Sequence, residues 1–416
     1  MTPAELHFAI DALHRGLSFE RPADMVLSTF FRDEPKLGAR DRALVAELFY
    51  GVIRHLRSLQ AVAEPATPRR LALAWLARFG GLTLRQFEAL VKKEADLAWL
   101  KEVKSADLGA LPEAVRLDLP DWLFERLAAT YGERLPELMA ALNRPAPLDL
   151  RVNLLKADRD TALAALRADG IEAEPTPYAP TGLRLAGKPA LHKHPLFVDG
   201  TLEVQDEGSQ LLALLVNPRR GEMICDFCAG AGGKTLALGA LMRSTGRLYA
   251  YDVSEKRLNN LKPRLRRSGL SNVHPQMLTN ERDPKVKRLA GKFDRVLVDA
   301  PCSGMGTLRR NPDLKWRQTP DSVAELAAKQ AAILDSAARL VKPGGRLVYA
   351  TCSLLHAENE DIVSAFLGQH GEYRAIPVDT LLREAKVGLD TGETLRLDPA
   401  THATDGFFAA AMERVL

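Results

Sequence analysis

The chain has 416 residues, of which 46% are apolar and 26% charged, and its net charge is +4. This length and apolar content predict two or three domains with cores of their own. The small net charge neither requires nor excludes a nucleic-acid partner, so the placement of charge matters more than its sum. Only 4 cysteines occur, and the sequence shows neither a secretory segment nor an apolar run of membrane-spanning length. We therefore expect a reduced, cytoplasmic protein without a disulfide framework.

Residues 1–142 are predicted to form an all-α domain. Apolar residues recur there at helical spacing, and no alternation typical of β-strands interrupts them. The periodic segments are residues 4–17, 41–59, 68–80 and 84–91. Prolines within residues 143–147 break a helix on both sides, so we place the first domain boundary there.

Residues 148–217 have a mixed pattern that predicts a small α+β domain. Strands are expected at 148–154 and 201–205, and helices at 160–169 and 209–216. Many RNA-binding modules are built this way, but the pattern alone does not assign that function.

Residues 218–416 alternate between strand and helix, which predicts an α/β domain with a doubly wound parallel sheet. The expected strands are 223–227, 248–252, 293–299 and 346–350, and the expected helices are 234–241, 254–268, 321–341 and 358–369. Residues 405–413 resemble a late strand, which we expect to be antiparallel at or near an edge. Ligands of such sheets bind at the carboxyl ends of the strands.

A loop of small residues follows the first of these strands and opens a helix at Lys234. Small side chains let a ligand approach the backbone, and a helix N-terminus offers free N–H groups. Asp252 ends the next strand, where an acid can bind ribose hydroxyls, although a helix cap is the alternative interpretation. The loop lacks the spacing G-x-G-x-x-G, so S-adenosylmethionine is favoured over a nicotinamide cofactor, and a purely structural turn remains possible.

Cys225 and Cys228 form a C-x-x-C pair, which could indicate zinc or redox chemistry. Zinc needs four ligands, and no second pair of cysteines or histidines lies nearby in the sequence. Cys225 falls within an apolar strand, where cysteine behaves as a small hydrophobic residue. No metal site is predicted.

Two further cysteines, Cys302 and Cys352, each follow a predicted buried strand, and Asp299 shares the first of these loops. Carbon 5 of a pyrimidine becomes nucleophilic when a thiolate adds to carbon 6. An acid at the ring assists this addition, and a base later removes the carbon 5 proton. The target base must also leave its stack to reach such a site. These residue types therefore indicate methyl transfer to pyrimidine carbon 5, the alternative being that both cysteines only pack at strand ends.

From residue 148 onward the chain resembles the Sun (RsmB-type) family of RNA cytosine-5 methyltransferases, which have a Rossmann-like catalytic domain. Six motifs carry this resemblance, at residues 151–156, 205–210, 226–235, 299–304, 350–353 and 405–408. The resemblance implies that Cys352 attacks carbon 6, that Cys302 assists product release, and that Asp299 acts near both cofactor and cytosine. It also implies a set of residues that bind S-adenosylmethionine. They are Cys228, Ala229, Gly230, Ala231, Gly232, Gly233, Lys234, Asp252, Asn280 and Asp299.

The sequence departs from the family pattern at two places. The family loop reads Cys-Ala-Ala-Pro-Gly-Gly-Lys, whereas Gly230 and Ala231 replace its second alanine and its proline. Asn280 stands where an acid is expected to contact the adenine, and its amide can still form hydrogen bonds.

Residues 42–54 resemble the helical NusB-type RNA-binding domain that precedes RsmB-type enzymes. This combination implies small-subunit (16S) ribosomal RNA as the substrate, with transfer RNA or large-subunit RNA as alternatives. We expect a monomer that binds RNA and neither a membrane nor a metal. Two other classes stay open: a non-catalytic RNA-binding ribosome assembly factor, and a nicotinamide oxidoreductase, which the loop spacing disfavours.

Basic residues cluster on the predicted helix 254–268 and again after the Cys302 loop. Lysine and arginine bind RNA phosphates, and planar side chains can hold an unstacked base. A solvated helix face is the alternative for the first cluster. The residues predicted to bind RNA are Arg151, Lys156, Arg257, Arg309, Arg310, Lys315 and Arg317.

Overall fold

A computed structural model of the chain describes residues 1–91 and 93–415. It contains two compact units. The helical unit comprises Met1–Pro145 and Thr307–Pro320, and the α/β unit comprises Ala146–Gly306 and Asp321–Leu416. The segment Thr307–Pro320 therefore belongs to the helical unit, whereas the sequence analysis counted it with the catalytic region. No helix among the described residues is long and apolar enough to cross a membrane.

The first part of the helical unit is all-α, as the apolar periodicity predicts. Its helices span Pro3–Gly16, Ala23–Asp33, Ala39–Arg54, Leu56–Val62, Pro68–Arg78, Leu84–Glu88, Glu94–Ser105, Glu113–Arg116, Asp121–Tyr131 and Leu135–Leu142. Thr2 and Glu5 form a capping box that fixes the start of the first helix. The single helix predicted over 41–59 is divided at His55, whose ψ of 30° departs from helical geometry.

The segment Thr307–Pro320 is held in this unit by polar side chains that pair with main-chain atoms. Asp313 Oδ2 accepts a hydrogen bond from the Ala23 amide at 3.1 Å. Trp316 Nε1 donates to the Ile53 carbonyl at 2.8 Å, and Lys315 Nζ donates to the Arg54 carbonyl at 2.8 Å. Because these contacts join residues far apart in sequence, helical periodicity could not reveal them.

The α/β unit begins with a four-stranded antiparallel sheet of order β2-β3-β1-β4. Its strands are β1 Leu148–Val152, β2 Ala173–Pro175, β3 Gly182–Leu185 and β4 Leu202–Val204. Three helices alternate with or follow these strands along the chain: Arg159–Ala168, Pro195–Val198 and Glu207–Val216. The predicted strands near 148 and 201 and both predicted helices are confirmed. β2 and β3 were missed because runs this short carry little alternation.

The second sheet is doubly wound and has the order β10-β12-β9-β8-β5-β6-β7, with β11 paired to β12. Its strands are β5 Met223–Asp226, β6 Arg247–Asp252, β7 Val273–Met277, β8 Phe293–Asp299, β9 Val341–Thr351, β10 Tyr373–Ile376, β11 Leu395–Leu397 and β12 Phe407–Arg414. Strands β5 to β9 pair in parallel, and β12 runs antiparallel between β9 and β10. The predicted sheet and its late antiparallel strand are therefore confirmed.

Helices of the second sheet span Gly233–Leu241, Glu255–Ser268, Pro284–Arg288, Pro320–Ala338, Glu360–Gln369 and Val378–Glu384. The helix predicted to reach residue 341 ends at Ala338, because β9 begins at Val341. The strand order reverses at β5, which has β6 on one side and β8 on the other. This reversal opens a crevice at the carboxyl ends of the strands, where a ligand is expected.

Candidate active site

A cavity of about 780 Å³ lies at the carboxyl ends of β5, β6, β8 and β9. Parallel strands bring their final residues to one edge of the sheet, so loops distant in sequence meet here. Most of the residues predicted for catalysis or cofactor binding line this cavity. They are Cys228, Ala229, Gly230, Ala231, Gly233, Lys234, Asp252, Asp299, Cys302 and Cys352. Arg257, predicted for RNA, also contributes to the wall.

Two predicted cofactor residues do not line the cavity. Gly232 has φ +82°, and a Cβ there would come within 2.2 Å of Leu261 Cδ1. The conformation of the loop and its packing against Leu261 therefore require glycine at this position. Asn280 is exposed, and its Oδ1 accepts from the Arg282 amide at 2.9 Å. Leu278 and Glu281 line the wall on either side of Asn280.

Asp252 combines a buried position with acceptor capacity that remains open. Its Oδ2 accepts from the Gly230 amide at 2.8 Å, and its Oδ1 accepts from the Ser254 amide at 2.7 Å. A carboxylate has about four acceptor sites, so each oxygen can accept a further hydrogen bond. Asp252 also lines the cavity, which suits it to bind a pair of ribose hydroxyls.

Asp226, at the end of β5, is a buried carboxyl group that the sequence analysis did not single out. Its Oδ2 accepts from Thr235 Oγ1 at 2.7 Å, while Oδ1 has no hydrogen-bond partner among the described residues. Burial is the main cause that raises the pKa of Asp226 to about 7. A cationic amino group bound in the cavity would give Oδ1 a partner and favour its charged form. Together with the glycine loop and Asp252, these donors and acceptors fit S-adenosylmethionine.

Lys234 and Asp299 form an ion pair on the cavity wall. Lys234 Nζ lies 2.7 Å from Asp299 Oδ2. Burial lowers the pKa of Lys234, but the charge and hydrogen bond of Asp299, together with the charges of Asp226 and Cys352, outweigh burial, and the pKa of Lys234 is raised. The pair therefore presents fixed positive and negative groups beside the cysteines.

The two cysteine sulfurs are in contact. Cys302 Sγ lies 3.3 Å from Cys352 Sγ, and both residues are half-buried in the cavity wall. The hydrogen bond to Cys352, followed by burial, raises the pKa of Cys302 well above its usual value. The contact with Cys352 and burial therefore favour the thiol form of Cys302.

The C-x-x-C cysteines do not form a comparable pair. Cys225 is fully buried within β5, and only Cys228 reaches the cavity. Burial raises the pKa of both thiols well above the usual value. Within residues 1–91 and 93–415, no group of three or more His, Cys, Asp or Glu side chains could hold a metal ion.

The predicted RNA-binding residues are placed very differently from one another. Arg257 is exposed, with 62% of its side chain accessible. Lys156 Nζ donates a hydrogen bond to the Asp199 carbonyl at 2.6 Å. Arg151 is buried and donates to Gln205 Oε1 and the Gly233 carbonyl. Arg151 therefore supports the glycine loop, and its burial does not fit the predicted contact with RNA phosphates.

In the helical unit, the predicted RNA residues are at most partly accessible. Arg309 and Lys315 are buried, so their charges do not face solvent as a phosphate contact requires. Arg310 and Arg317 are half-buried, and Arg317 Nη1 lies 3.6 Å from Asp313 Oδ2. The position of these residues after the Cys302 loop was the reason for predicting RNA contact, but packing with distant residues determines how exposed they are.

Several lining residues were not assigned from the sequence. They include Gln205, Ser209, Asp226, Arg264, Leu278, Glu281 and Lys329. Arg264 is held by Glu203 at 2.9 Å and donates to the Ala231 carbonyl at 2.7 Å, so it braces the glycine loop. In the sequence, Arg264 is one of several basic residues on a single helix, and nothing there distinguishes it from the others as a residue of the cavity wall.

Comparison with known proteins shows the family of this chain. A family profile described as 16S rRNA methyltransferase RsmB/F matches residues 213–413. The probable ribosomal RNA small subunit methyltransferase B of Synechocystis sp. is 35% identical, over 94% of this chain and 95% of that protein. The chain belongs to the RsmB/F methyltransferase family. A second profile, for a ferredoxin-like domain of RsmF/B-like methyltransferases, matches residues 119–192 and so begins within the segment predicted as all-α.

A second relative and one solved structure are similar to this chain over most of its length. The ribosomal RNA small subunit methyltransferase B of Photorhabdus laumondii is 32% identical, over 90% of this chain and 91% of that protein. The crystal structure of PH0851 superposes with a TM-score of 0.82 at 28% identity, covering 100% of this chain and 99% of that chain. The resemblance stated from the six motifs is thereby confirmed at the level of family and fold.

Proposed function

We propose that this protein transfers a methyl group from S-adenosylmethionine to carbon 5 of a cytosine in RNA. We further propose small-subunit ribosomal RNA as the substrate, because the related proteins of the RsmB/F family carry that substrate in their names. The observation that carries the chemical proposal is the contact of Cys302 Sγ with Cys352 Sγ at 3.3 Å beside Asp299 in one cavity.

The attacking residue in this proposal is Cys352. Its sulfur adds to carbon 6 of the cytosine as the thiolate, and the electrons of the carbon 5–carbon 6 double bond move to carbon 5. S-adenosylmethionine supplies the electrophilic methyl group when it is bound. The glycine loop, Asp252 and Asp226 would hold that cofactor by close backbone approach, ribose contacts and a contact to its amino group.

The Lys234–Asp299 pair is proposed to bind the edge of the cytosine ring. Asp299 can accept a hydrogen bond from the exocyclic amino group, and Lys234 Nζ has donors left for ring nitrogen 3. Such fixed charges in a partly buried cavity stabilise the charge that develops on the ring during attack.

Cys302 is proposed to complete the reaction. Once Cys352 is bonded to carbon 6, it no longer shares a hydrogen bond with Cys302. Its negative charge, which disfavours a thiolate on Cys302, is also gone. Cys302 can then lose its proton to water and accept the proton from carbon 5. The electrons of that carbon–hydrogen bond restore the double bond as the bond from Cys352 Sγ to carbon 6 breaks.

The test uses total RNA from cells that lack this gene, incubated with the pure protein and S-adenosylmethionine labelled in its methyl group. Label in 5-methylcytosine of small-subunit RNA is the expected result. Label in transfer RNA would keep the chemistry and correct the substrate. Absence of label, together with failure to bind the cofactor in a titration, would instead favour a non-catalytic ribosome assembly factor.

A further inference from the structure

Both active-site cysteines are followed directly by a serine, and the two serines share one buried carboxylate. Ser303 Oγ and Ser353 Oγ both hydrogen-bond to Glu358 Oε2. The Ser303 amide donates to Glu358 Oε1 at 2.8 Å. One side chain therefore ties the loop that carries Cys302 to the loop that carries Cys352.

Glu358 is unusual because its carboxylate is fully buried and forms no ion pair among the described residues. Its fourth partner is Gln330 Nε2, which donates to Oε1 at 3.0 Å. Four hydrogen bonds fill the acceptor capacity of a carboxylate. Burial of a charge is costly even when it is hydrogen-bonded, so fold stability alone does not account for this group.

The neighbours of Glu358 fix its position from both sides. Gln330 Nε2 also donates to the Pro301 carbonyl at 2.9 Å, and Tyr349 Oη donates to the Glu358 carbonyl at 2.6 Å. Asn359 Nδ2 donates to the Ser353 carbonyl at 3.0 Å, which braces the second loop. The carboxylate is thus a fixed point to which both cysteine loops are attached.

We propose that Glu358 is a positioning residue that holds the two cysteine loops together and reserves the proton of the thiol pair for Cys302. The negative charge of Glu358 contributes to the raised pKa of Cys302, after the hydrogen bond to Cys352, burial and the charge of Cys352. The effect of Glu358 on turnover rests on the proposed function, whereas its effect on the pKa of Cys302 does not.

The first test measures the thiols without RNA. Glu358→Gln removes the charge and retains the size and the acceptor toward the Ser303 amide and Gln330. Alkylation of Cys302 by iodoacetamide, followed by mass spectrometry across pH, should show a midpoint lower by about one pH unit than in the unmodified protein. Asp361→Asn, a nearby exposed acid, is the matched control and should leave the midpoint unchanged. An unchanged midpoint in Glu358→Gln would overturn the proposal.

The second test separates the tether from the charge. The double variant Ser303→Ala, Ser353→Ala retains Glu358 but removes both hydroxyl contacts. Its kcat should fall by about 100-fold while KM for RNA stays within twofold, because small displacements of reacting groups are costly. A kcat equal to that of the unmodified protein, in a variant with an unchanged melting temperature, would contradict the positioning role.

A loss of folding would not leave the question open, because Ser303→Ala alone removes only one of the two tethers. Its kcat should fall between those of the double variant and the unmodified protein, and a value equal to the unmodified protein would count against the proposal. If the unmodified protein fails to methylate RNA at all, the proposed function is wrong. The alkylation measurement still decides the effect of Glu358 on Cys302 in that case.

Discussion

The cavity of the α/β unit and the segment Thr307–Pro320 of the helical unit differ in how they use charged residues. In the cavity, Asp252 and Asp299 stand at strand ends and line the site as expected. In the segment, Lys315 is fully buried and donates to a main-chain carbonyl. A strand end fixes where a side chain lies, whereas the exposure of a cation depends on packing with distant residues.

The largest effect is expected from a substitution in the thiol pair of the cavity, Cys302 and Cys352. Cys352→Ala should abolish methyl transfer and covalent protein–RNA complex formation, with a rate lower by more than about 10⁴-fold, because Cys352 is the proposed nucleophile that adds to carbon 6. Labelled methyl incorporation and denaturing gels of the protein–RNA mixture measure the two effects. Cys225→Ala, which removes a buried thiol outside the cavity, is the control. Normal turnover by Cys352→Ala would exclude the proposed chemistry.

Cys302→Ala should have a different effect from Cys352→Ala, because it leaves attack intact and impairs release. We expect a covalent complex that persists on denaturing gels and a turnover rate lower by about 10²–10⁴-fold, the usual contribution of a general base. If Cys302→Ala prevented the complex and Cys352→Ala trapped it, the two roles would be reversed.

Lys315→Met tests whether the buried lysine of the helical unit affects stability and not RNA binding. Burial lowers the pKa of Lys315 to about 8, from a usual value of 10.5. The unfolded chain therefore binds one more proton between these pH values, so the unfolding free energy rises with pH across this window by a few kcal/mol. In Lys315→Met that rise should be missing, and RNA affinity should be unchanged. Denaturant titrations at pH 7.5 and pH 10.5 provide the comparison, and a loss of RNA affinity without a change in stability would restore the RNA role.

Arg257→Ala is expected to show the smallest effect. Its side chain is exposed at the cavity wall and lies 3.9 Å from Asp252, so it can turn toward a phosphate. RNA affinity should fall by roughly tenfold or less, and the slope of affinity against salt concentration should decrease by about one. Arg374→Ala, an exposed arginine of β10 outside the cavity, is the control. Equal affinity at every salt concentration would remove Arg257 from the RNA surface.

The parts that sequence predicted well are those set by local pattern. Strand and helix alternation placed Lys234 at the start of a helix, Asp299 at a strand end and Cys302 and Cys352 on loops, all at one edge of a sheet, and parallel topology then brought them together. The glycine loop could be identified because its small residues and following helix are contiguous in sequence.

The parts that sequence missed depend on contacts between distant residues. Asp226 was visible within a motif, but only its burial and unpartnered Oδ1 single it out. Glu358 gave no signal, because its importance comes from serines of two other loops. Asn280 was assigned by its place after β7, yet its side chain caps its own turn.

The position of β12 also has a consequence for synthesis of the protein. β12 pairs with β9 from Phe408 opposite Thr351 to Glu413 opposite Arg346, so it covers the edge of the strand that leads to Cys352. It leaves the ribosome after all other strands of the described chain. Until then β9 has an unpaired edge, and the loop that carries Cys352 lacks its final support. The nascent chain can therefore complete its active site only after residues 407–414 have emerged, which delays catalysis until translation has passed them.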